Sequence, residues 1–222
     1  MKKITKINHK PRFSVNKLGE YLTATATRRK KLIEDQKYPS TFITGTYKIA
    51  REAIIKYILK DYDAEILNDA IEKIRKADEI DDTEKANSIL ALEEVLKHDL
   101  PDLSSYKKVR YKPKSGKLRI KELDVSIRPD IILYKGKKVG CIKIHIIKTN
   151  RLTKEAGQCV TALLNQYCNS AVIDGDEVVD PKLCISFDCF GYTHEVASKS
   201  VTRRMANIEA ACEEIVLRWD SV

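Results

Sequence analysis

The hydrophobic residues of this 222-residue chain change their spacing twice. Up to about residue 100 they recur every three or four positions, which is the spacing of amphipathic helices. Between residues 107 and 148 they alternate with polar residues, which is typical of strands with one buried face. Helical spacing returns afterwards, most clearly over 153–168 and 201–219. A chain with both periods has to cover a sheet with helices, so we predict an α/β fold of the α+β kind.

The order of these segments predicts a topology. Helices are expected first, beginning at an N-cap at Ser14, and the β-like stretches follow at 107–111, 117–127, 128–134 and 138–148. Turn signals at 113–116 and 135–137 interrupt these stretches, whereas 128–134 continues directly from 117–127. This favours a three-stranded antiparallel meander with Ile142, Ile144 and Ile146 buried. A helix from Thr153 to Cys168, a strand at Leu183–Phe187 and a closing helix from Val201 to Trp219 complete the prediction.

The net charge of +9 conceals an alternation along the chain. Residues 1–60 carry +11, 61–105 carry −9, 106–158 carry +12 and 159–222 carry −5. Basic blocks of this density favour a polyanionic partner, because each neutralised phosphate releases counterions. Two other interpretations stay open, namely a solvated basic surface that aids solubility and a charge pattern that joins subunits of a homo-oligomer or a protein complex.

The same pattern predicts how the chain is organised. Residues 1–12 are expected to form a basic N-terminal arm, and 13–222 a single domain with an acidic helical insertion at about 61–105. The chain has no run of about 18 apolar residues, and no apolar stretch follows its basic start. We therefore expect no transmembrane helix, no secretory signal and no membrane partner, with the cytoplasm as the setting.

The six cysteines all lie between residues 141 and 212 and form no CxxC pair. Such spacing gives little support to a structural zinc or iron–sulfur site, so we interpret them as small buried hydrophobic residues. Phosphate-binding glycine loops, HExxH and GxSxG are missing from the sequence. Their absence argues against P-loop NTPases, zincins and α/β-hydrolases.

A candidate site emerges from strand parity. Cys141, Lys143 and His145 share one face of their strand, and Asp130 starts the preceding strand. If the two strands pair through the turn at Lys135–Lys137, Asp130 and Lys143 converge. A carboxylate can hold Mg²⁺ while a nearby lysine positions water and offsets developing phosphate charge, so this pair is a candidate for phosphodiester hydrolysis.

These residues resemble the active-site motif of a known family. Residues 128–133 (RPDIIL) and 140–143 (GCIK), separated by a glycine turn, resemble the PD-(D/E)XK nuclease superfamily, and its RecB-like exonuclease branch in particular. The further similarities, which span about residues 13–188, are Ser14, Leu18 and Tyr21, then Gly45 with Arg51–Ile54, then Gln158 with Tyr167. The resemblance implies a restriction-endonuclease-like core and metal-dependent DNA cleavage, with Asp130, Lys143 and Gln158 as catalytic residues.

The sequence departs from the family motif at two positions. Cys141 stands where the motif has its second acidic ligand, and thiolates suit softer metals than Mg²⁺. Arg51 stands where the branch has a histidine, and a guanidinium cannot bind a cation. If the resemblance holds, Mg²⁺ or Mn²⁺ is expected at Asp130 with a carboxylate supplied from elsewhere: Glu155 first, with Glu122 or Asp124 as alternatives.

Two functions follow from the resemblance. One is a DNA-directed nuclease with an altered metal site, and the other is a catalytically inactive protein of the same fold that binds DNA or acts in an assembly. Both interpretations need cations along a nucleic-acid path. The residues predicted to line it are Arg28, Arg29, Lys30, Lys31, Arg51, Lys112, Lys114 and Lys117.

Overall fold

The computed structural model describes residues 7–39, 47–111, 116–191, 194–197 and 200–222. The helices within these ranges are α1 (Val15–Thr23), α2 (Ala26–Lys37), α3 (Lys48–Leu59), α4 (Ala64–Arg75), α5 (Asp82–Leu96), α6 (Lys154–Ala171) and α7 (Val201–Arg218). The strands are β1 (Arg12–Ser14), β2 (Lys107–Arg110), β3 (Lys117–Ile120), β4 (Leu123–Ser126), β5 (Ile131–Lys135), β6 (Lys138–His145), β7 (Val178–Asp188) and β8 (His194–Val196). The mixed helix and strand content confirms the predicted α/β class.

The strands form two sheets. The larger sheet has the order β2-β5-β6-β7-β8 and the smaller one the order β1-β4-β3. In the larger sheet β5 is antiparallel to both β2 and β6, and β8 is antiparallel to β7. β7 runs parallel to β6, because α6 carries the chain across between them. In the smaller sheet β1 pairs in parallel with β4, and β3 pairs with β4 as a hairpin.

The predicted meander has the correct antiparallel pairing, but its three strands do not directly follow one another along the chain. Three antiparallel strands do lie side by side, but they are β2, β5 and β6, and the hairpin β3–β4 leaves the larger sheet between the first two. The stretch 117–127 is two strands because Lys121 and Glu122 both have positive φ, 45° and 64°. Two consecutive residues with positive φ make the tight turn that joins antiparallel strands, although neither residue is a glycine.

Helices cover both faces of the larger sheet. Ile131, Leu133, Ile142 and Ile144 are buried in a cluster with residues of α3, α4 and α5. On the opposite face, side chains such as Ile132 and Cys141 of the larger sheet belong to a second cluster that includes residues of α1, α2, α6, α7 and the smaller sheet. The burial of Ile142, Ile144 and Ile146 is confirmed. The sheet is buried on both sides because a parallel crossover places its helix over a face that an antiparallel meander leaves open.

Most of the described helices begin at a residue whose side chain caps the first turn. The Ser14 side chain accepts a hydrogen bond from the backbone N–H of Lys17, which confirms the predicted N-cap. Thr25 caps a new helix in the same way, so Arg28 to Lys31 lie in α2 and not in a continuation of α1.

The acidic segment forms α4 and α5, as predicted, and both pack on α3. In the described part of the chain, none of the helices combines the length and apolar character that a membrane span needs.

Gly140 marks a close approach between β6 and β7, next to an irregularity in their register. A Cβ atom at Gly140 would lie 2.2 Å from the Cβ atom of Leu183 and 2.4 Å from its carbonyl oxygen. Gly136, in contrast, has a φ of 59° in the β5–β6 turn and open space around its Cα atom.

We predict that Gly140→Ala lowers the free energy of unfolding by about 3 kcal/mol, because the backbone of β7 has to move. Gly136→Ala is the matched control and should cost about 1 kcal/mol from backbone strain alone. Urea denaturation measures both. Equal losses for the two variants would contradict the close approach.

Candidate functional site

Asp130 lies one residue before β5, at the end of the ladder that β5 forms with β6. Its backbone N–H donates to the carbonyl oxygen of Ile142 at 2.8 Å. Because Ile131 pairs with Ile142, Asp130 lies opposite Lys143. Its side chain is buried, so the carboxylate depends on protein donors for the interactions that water would otherwise supply.

The structure brings Asp130 and Lys143 together, as strand parity predicts. The Lys143 Nζ atom lies 3.6 Å from Asp130 Oδ2, and it donates a hydrogen bond of 2.6 Å to the carbonyl oxygen of Arg128. The backbone N–H of Ile144 donates to the same carboxylate oxygen at 2.8 Å.

Arg51 engages the other oxygen of Asp130. Its Nη2 and Nε atoms lie 2.6 Å and 3.1 Å from Asp130 Oδ1. Arg51 belongs to the first turn of α3, which packs on the opposite side of the sheet from α6. The result is a cluster of one carboxylate and two cations, Arg51–Asp130–Lys143, which we call the charge cluster.

The electrostatics of the charge cluster are set by burial. Burial lowers the pKa of Lys143 to about 8, with Arg51 acting in the same direction and Asp130 acting against both. Lys143 is therefore still mainly protonated at neutral pH. With two cations and one carboxylate, the cluster then carries a net positive charge.

The donor set does not fit the magnesium site that the family resemblance implies. Mg²⁺ is usually held by one or two carboxylates that offer free oxygens. Both oxygens of Asp130 already accept hydrogen bonds, and two cations stand beside them. In the described ranges, the one group of three histidine, cysteine or acidic side chains with ligand atoms close enough to hold a metal consists of cysteines.

The other predicted catalytic and metal residues make contacts elsewhere. Glu155 is exposed at the start of α6. Gln158 contacts Arg204 of α7 and Glu195 of β8. Cys141 shares a strand face with Lys143 but lies in the core with its sulfur against Cys168. Among the described residues, no hydrogen bond or ion pair connects Glu155 or Gln158 to Asp130. Their catalytic and metal-binding roles stay predictions.

The two alternative carboxylates belong to the other sheet. Glu122 and Asp124 lie in the β3–β4 hairpin, where both pair with Arg119. They neutralise a cation within the smaller sheet, so the described contacts tie them to that hairpin and not to the charge cluster.

A basic cleft of about 920 Å³ opens next to the charge cluster, and Arg51 belongs to both. Its cationic side chains are Lys17 of α1, Arg28 of α2, and Lys48 and Arg51 of α3. Tyr47, Asn87 and residues of the segment 146–150 after β6 supply the remaining wall, and none of the described residues in the lining is a carboxylate. A cleft lined by four cations favours a polyanionic ligand.

A second buried carboxylate holds the wall of this cleft together. Glu20 of α1 accepts hydrogen bonds from Lys17 Nζ at 2.7 Å, Arg28 Nη2 at 2.5 Å and Asn150 Nδ2 at 2.6 Å. Burial alone raises the pKa of Glu20, but the hydrogen bonds and charges of Lys17 and Arg28 outweigh it, and the pKa falls below its ordinary value. Glu20 therefore stays ionised and ties α1, α2 and the segment after β6 to one another.

Of the cations predicted to contact nucleic acid, Arg28 and Arg51 line the basic cleft. Arg29 instead stacks over Tyr21 and pairs with Glu214 of α7. Lys31 pairs with Glu34 and Asp35 within α2. Lys30 and Lys117 are exposed outside the cleft lining, on α2 and β3. Lys112 and Lys114 lie outside the described residues, as does Gly45 of the family motif.

Sequence reasoning missed Lys17, Lys48, Glu20 and Asn150. Lys17 and Glu20 are three positions apart on a helix, a spacing that brings side chains together. This spacing was the one feature of the sequence that indicated any of the contacts around Glu20. Asn150 lies 130 positions from Glu20 and carried no signal at all.

Comparisons with known proteins identify no relative of this chain. A scan against protein-family models, a search of curated proteins and a search of solved structures each find no match to this chain.

We predict that Asp130→Asn lowers the free energy of unfolding by about 3 kcal/mol, because it leaves Arg51 and Lys143 without their buried counter-charge. Asp124→Asn is the control: it removes a carboxylate that pairs with a half-exposed arginine in the β3–β4 hairpin, and should cost less than about 1 kcal/mol. Chemical denaturation measures both. A loss at Asp130 no larger than that at Asp124 would contradict the proposed importance of the charge cluster.

The lowered pKa of Lys143 predicts a pH dependence of stability. The pKa is 10.5 in an ordinary lysine and about 8 here, so between these values the unfolded chain holds more protons than the folded one. The free energy of unfolding of the wild type, relative to Lys143→Met, should therefore rise by about 2 kcal/mol from pH 8 to pH 10. Lys138→Met, at an exposed lysine of the same strand, should keep the wild-type slope. Parallel slopes for wild type and Lys143→Met would rule out the shifted pKa.

Proposed function

We propose that this chain is a nucleic-acid-binding protein with a nuclease-like core that binds phosphates in its basic cleft and does not cleave them. DNA is the expected ligand. The observation that carries the proposal is the engagement of both oxygens of Asp130, by Arg51 on one side and by Lys143 and the Ile144 N–H on the other.

The topology supports the nuclease-like part of the proposal. The family resemblance implies helices, three antiparallel strands, a helix, a strand and a helix. The order α3, then β2, β5 and β6, then α6, β7 and α7 agrees with that arrangement. Asp130 at the start of the second of these strands and Lys143 on the third stand in the corresponding motif positions.

The charge cluster supports binding over cleavage. In a metal-dependent nuclease the carboxylate has to offer oxygens to the cation. Here the guanidinium of Arg51 donates hydrogen bonds to Asp130 Oδ1, so the positive charge beside this oxygen belongs to a side chain of the protein. A cation that is fixed in this way can attract phosphate, but it cannot lower the pKa of a bound water as a metal does.

The basic cleft supports phosphate as the ligand. Lys17 and Arg28 are held by Glu20 at one wall, and Arg51 is held by Asp130 at the other. Lys48 is exposed at the first turn of α3. Arginine and lysine side chains positioned by buried carboxylates lose less freedom when a phosphate binds, which favours affinity.

The proposal is tested by fluorescence anisotropy with labelled single- and double-stranded DNA over a range of salt concentrations. Lys48→Ala should weaken binding and flatten the slope of log K against log salt by about 0.7 for a single strand and 0.9 for a duplex, the contribution of one phosphate contact. Lys56→Ala is the matched control, because Lys56 is exposed on the same helix but lines a different groove, next to α4. An unchanged slope for Lys48→Ala, or no binding by the wild type, would contradict binding in this cleft.

Cleavage is tested on the same oligonucleotides, and on RNA, with Mg²⁺ or Mn²⁺ present. We expect intact substrates after prolonged incubation. Metal-dependent products that disappear in Asp130→Asn would overturn the non-catalytic proposal and restore the nuclease interpretation. Products that persist in that variant would point to a contaminating enzyme and leave the expected result standing.

A further inference from the structure

Three cysteine side chains from three different elements meet in the core. Cys141 of β6 and Cys184 of β7 are direct partners in the parallel ladder, and Cys168 of α6 lies over them. The Cys168 and Cys141 sulfurs are 3.1 Å apart, and all three sulfurs lie within 4.8 Å of one another. All three residues are completely buried. We call this group the thiol cluster.

Burial alone does not account for the grouping. Cys159, Cys189 and Cys212 are buried as well, yet none of them belongs to the cluster. The three clustered cysteines are separated by 27 and 16 positions in the chain, so they are brought together by the crossover from β6 through α6 to β7. This crossover presents their sulfurs to a common point.

An amide side chain stands beside the thiol cluster. Asn165 of α6 is buried, and its side chain hydrogen-bonds to Cys184. Amide donors to a ligand sulfur are typical of the groups that surround metal-bound thiolates.

We propose that Cys141, Cys168 and Cys184 bind one soft, thiophilic metal ion through their three sulfur atoms. Thiolates select Cu⁺ and Zn²⁺ over hard cations such as Mg²⁺. Structural Zn²⁺ sites are almost always four-coordinate, whereas this site offers three sulfurs, so Cu⁺ is the better fit. Three sulfurs at about 2.3 Å from one ion lie about 4 Å apart, and the cluster has to open by less than about 1 Å to reach that spacing.

Metal binding at the thiol cluster would stabilise the folded chain. The ion would join α6 to β6 and β7, and β6 also carries Lys143 of the charge cluster two positions beyond Cys141. Because the sulfurs are buried, loading takes place during folding or through local opening. A ligand that binds only the folded state stabilises it, so thermal stability reports on occupancy.

The test uses the full chain, reduced with a phosphine and freed of metal. Cu⁺ is supplied from a chromophoric chelator that competes for it, and Zn²⁺ and Mg²⁺ are titrated separately. We expect one Cu⁺ per chain, a sulfur-to-metal charge-transfer absorption and a higher melting temperature, weaker binding of Zn²⁺ and no effect of Mg²⁺. Cys184→Ala should lose at least about tenfold in affinity for Cu⁺, since even a group around the ligands contributes that much.

Cys212→Ala is the matched control, because it removes the same sulfur atom from an equally buried position outside the cluster. It should bind Cu⁺ like the wild type. If Cys184→Ala does not fold, Cys168→Ala and Cys184→Ser provide the same comparison. Failure of the wild type to bind one equivalent of Cu⁺, equal affinity in a cluster variant and in Cys212→Ala, or tighter binding of Zn²⁺ than of Cu⁺ would overturn the proposal.

Discussion

The buried carboxylate of Asp130 is the interaction on which the rest of the site depends. A charge in the protein interior is tolerated only when it is paired and hydrogen-bonded, and Asp130 obtains its partners from α3 and β6. These contacts orient Arg51 across the edge of the sheet and keep Lys143 beside the start of β5. The first turn of α3, which forms part of the basic cleft, is therefore positioned by a residue of the sheet.

Glu20 plays the same physical role at the opposite wall of the cleft. It is also buried and also surrounded by cations, and it ties α1 and α2 to the segment that follows β6. In both cases a carboxylate fixes the direction of an arginine. This arrangement differs from that of a metal-dependent hydrolase, in which carboxylates leave their oxygens free for the ion. The proposed function rests on this difference, because carboxylates that hold arginines suit a site that attracts anions better than one that activates water.

The crossover from β6 through α6 to β7 connects this site to the core. It makes β7 parallel to β6, places α6 on the sheet and brings together Cys141, Cys168 and Cys184. The close approach of β6 and β7 at Gly140 belongs to the same unit. The position of Lys143 thus depends on packing beneath it as well as on its ion pair with Asp130.

Local sequence patterns predict the α/β class, most helix positions, the burial of Ile142, Ile144 and Ile146, and the convergence of Asp130 with Lys143. These features follow from periods of 3.6 and 2 and from pairing through a short turn, all of which are local. Other features become visible only in the folded chain: the β3–β4 hairpin leaves the larger sheet, Arg51 reaches Asp130 over 79 positions, and Glu20 meets Asn150. Local pattern does not encode these contacts, because they depend on how whole elements pack, and a buried charge selects its partner from whatever that packing brings within reach.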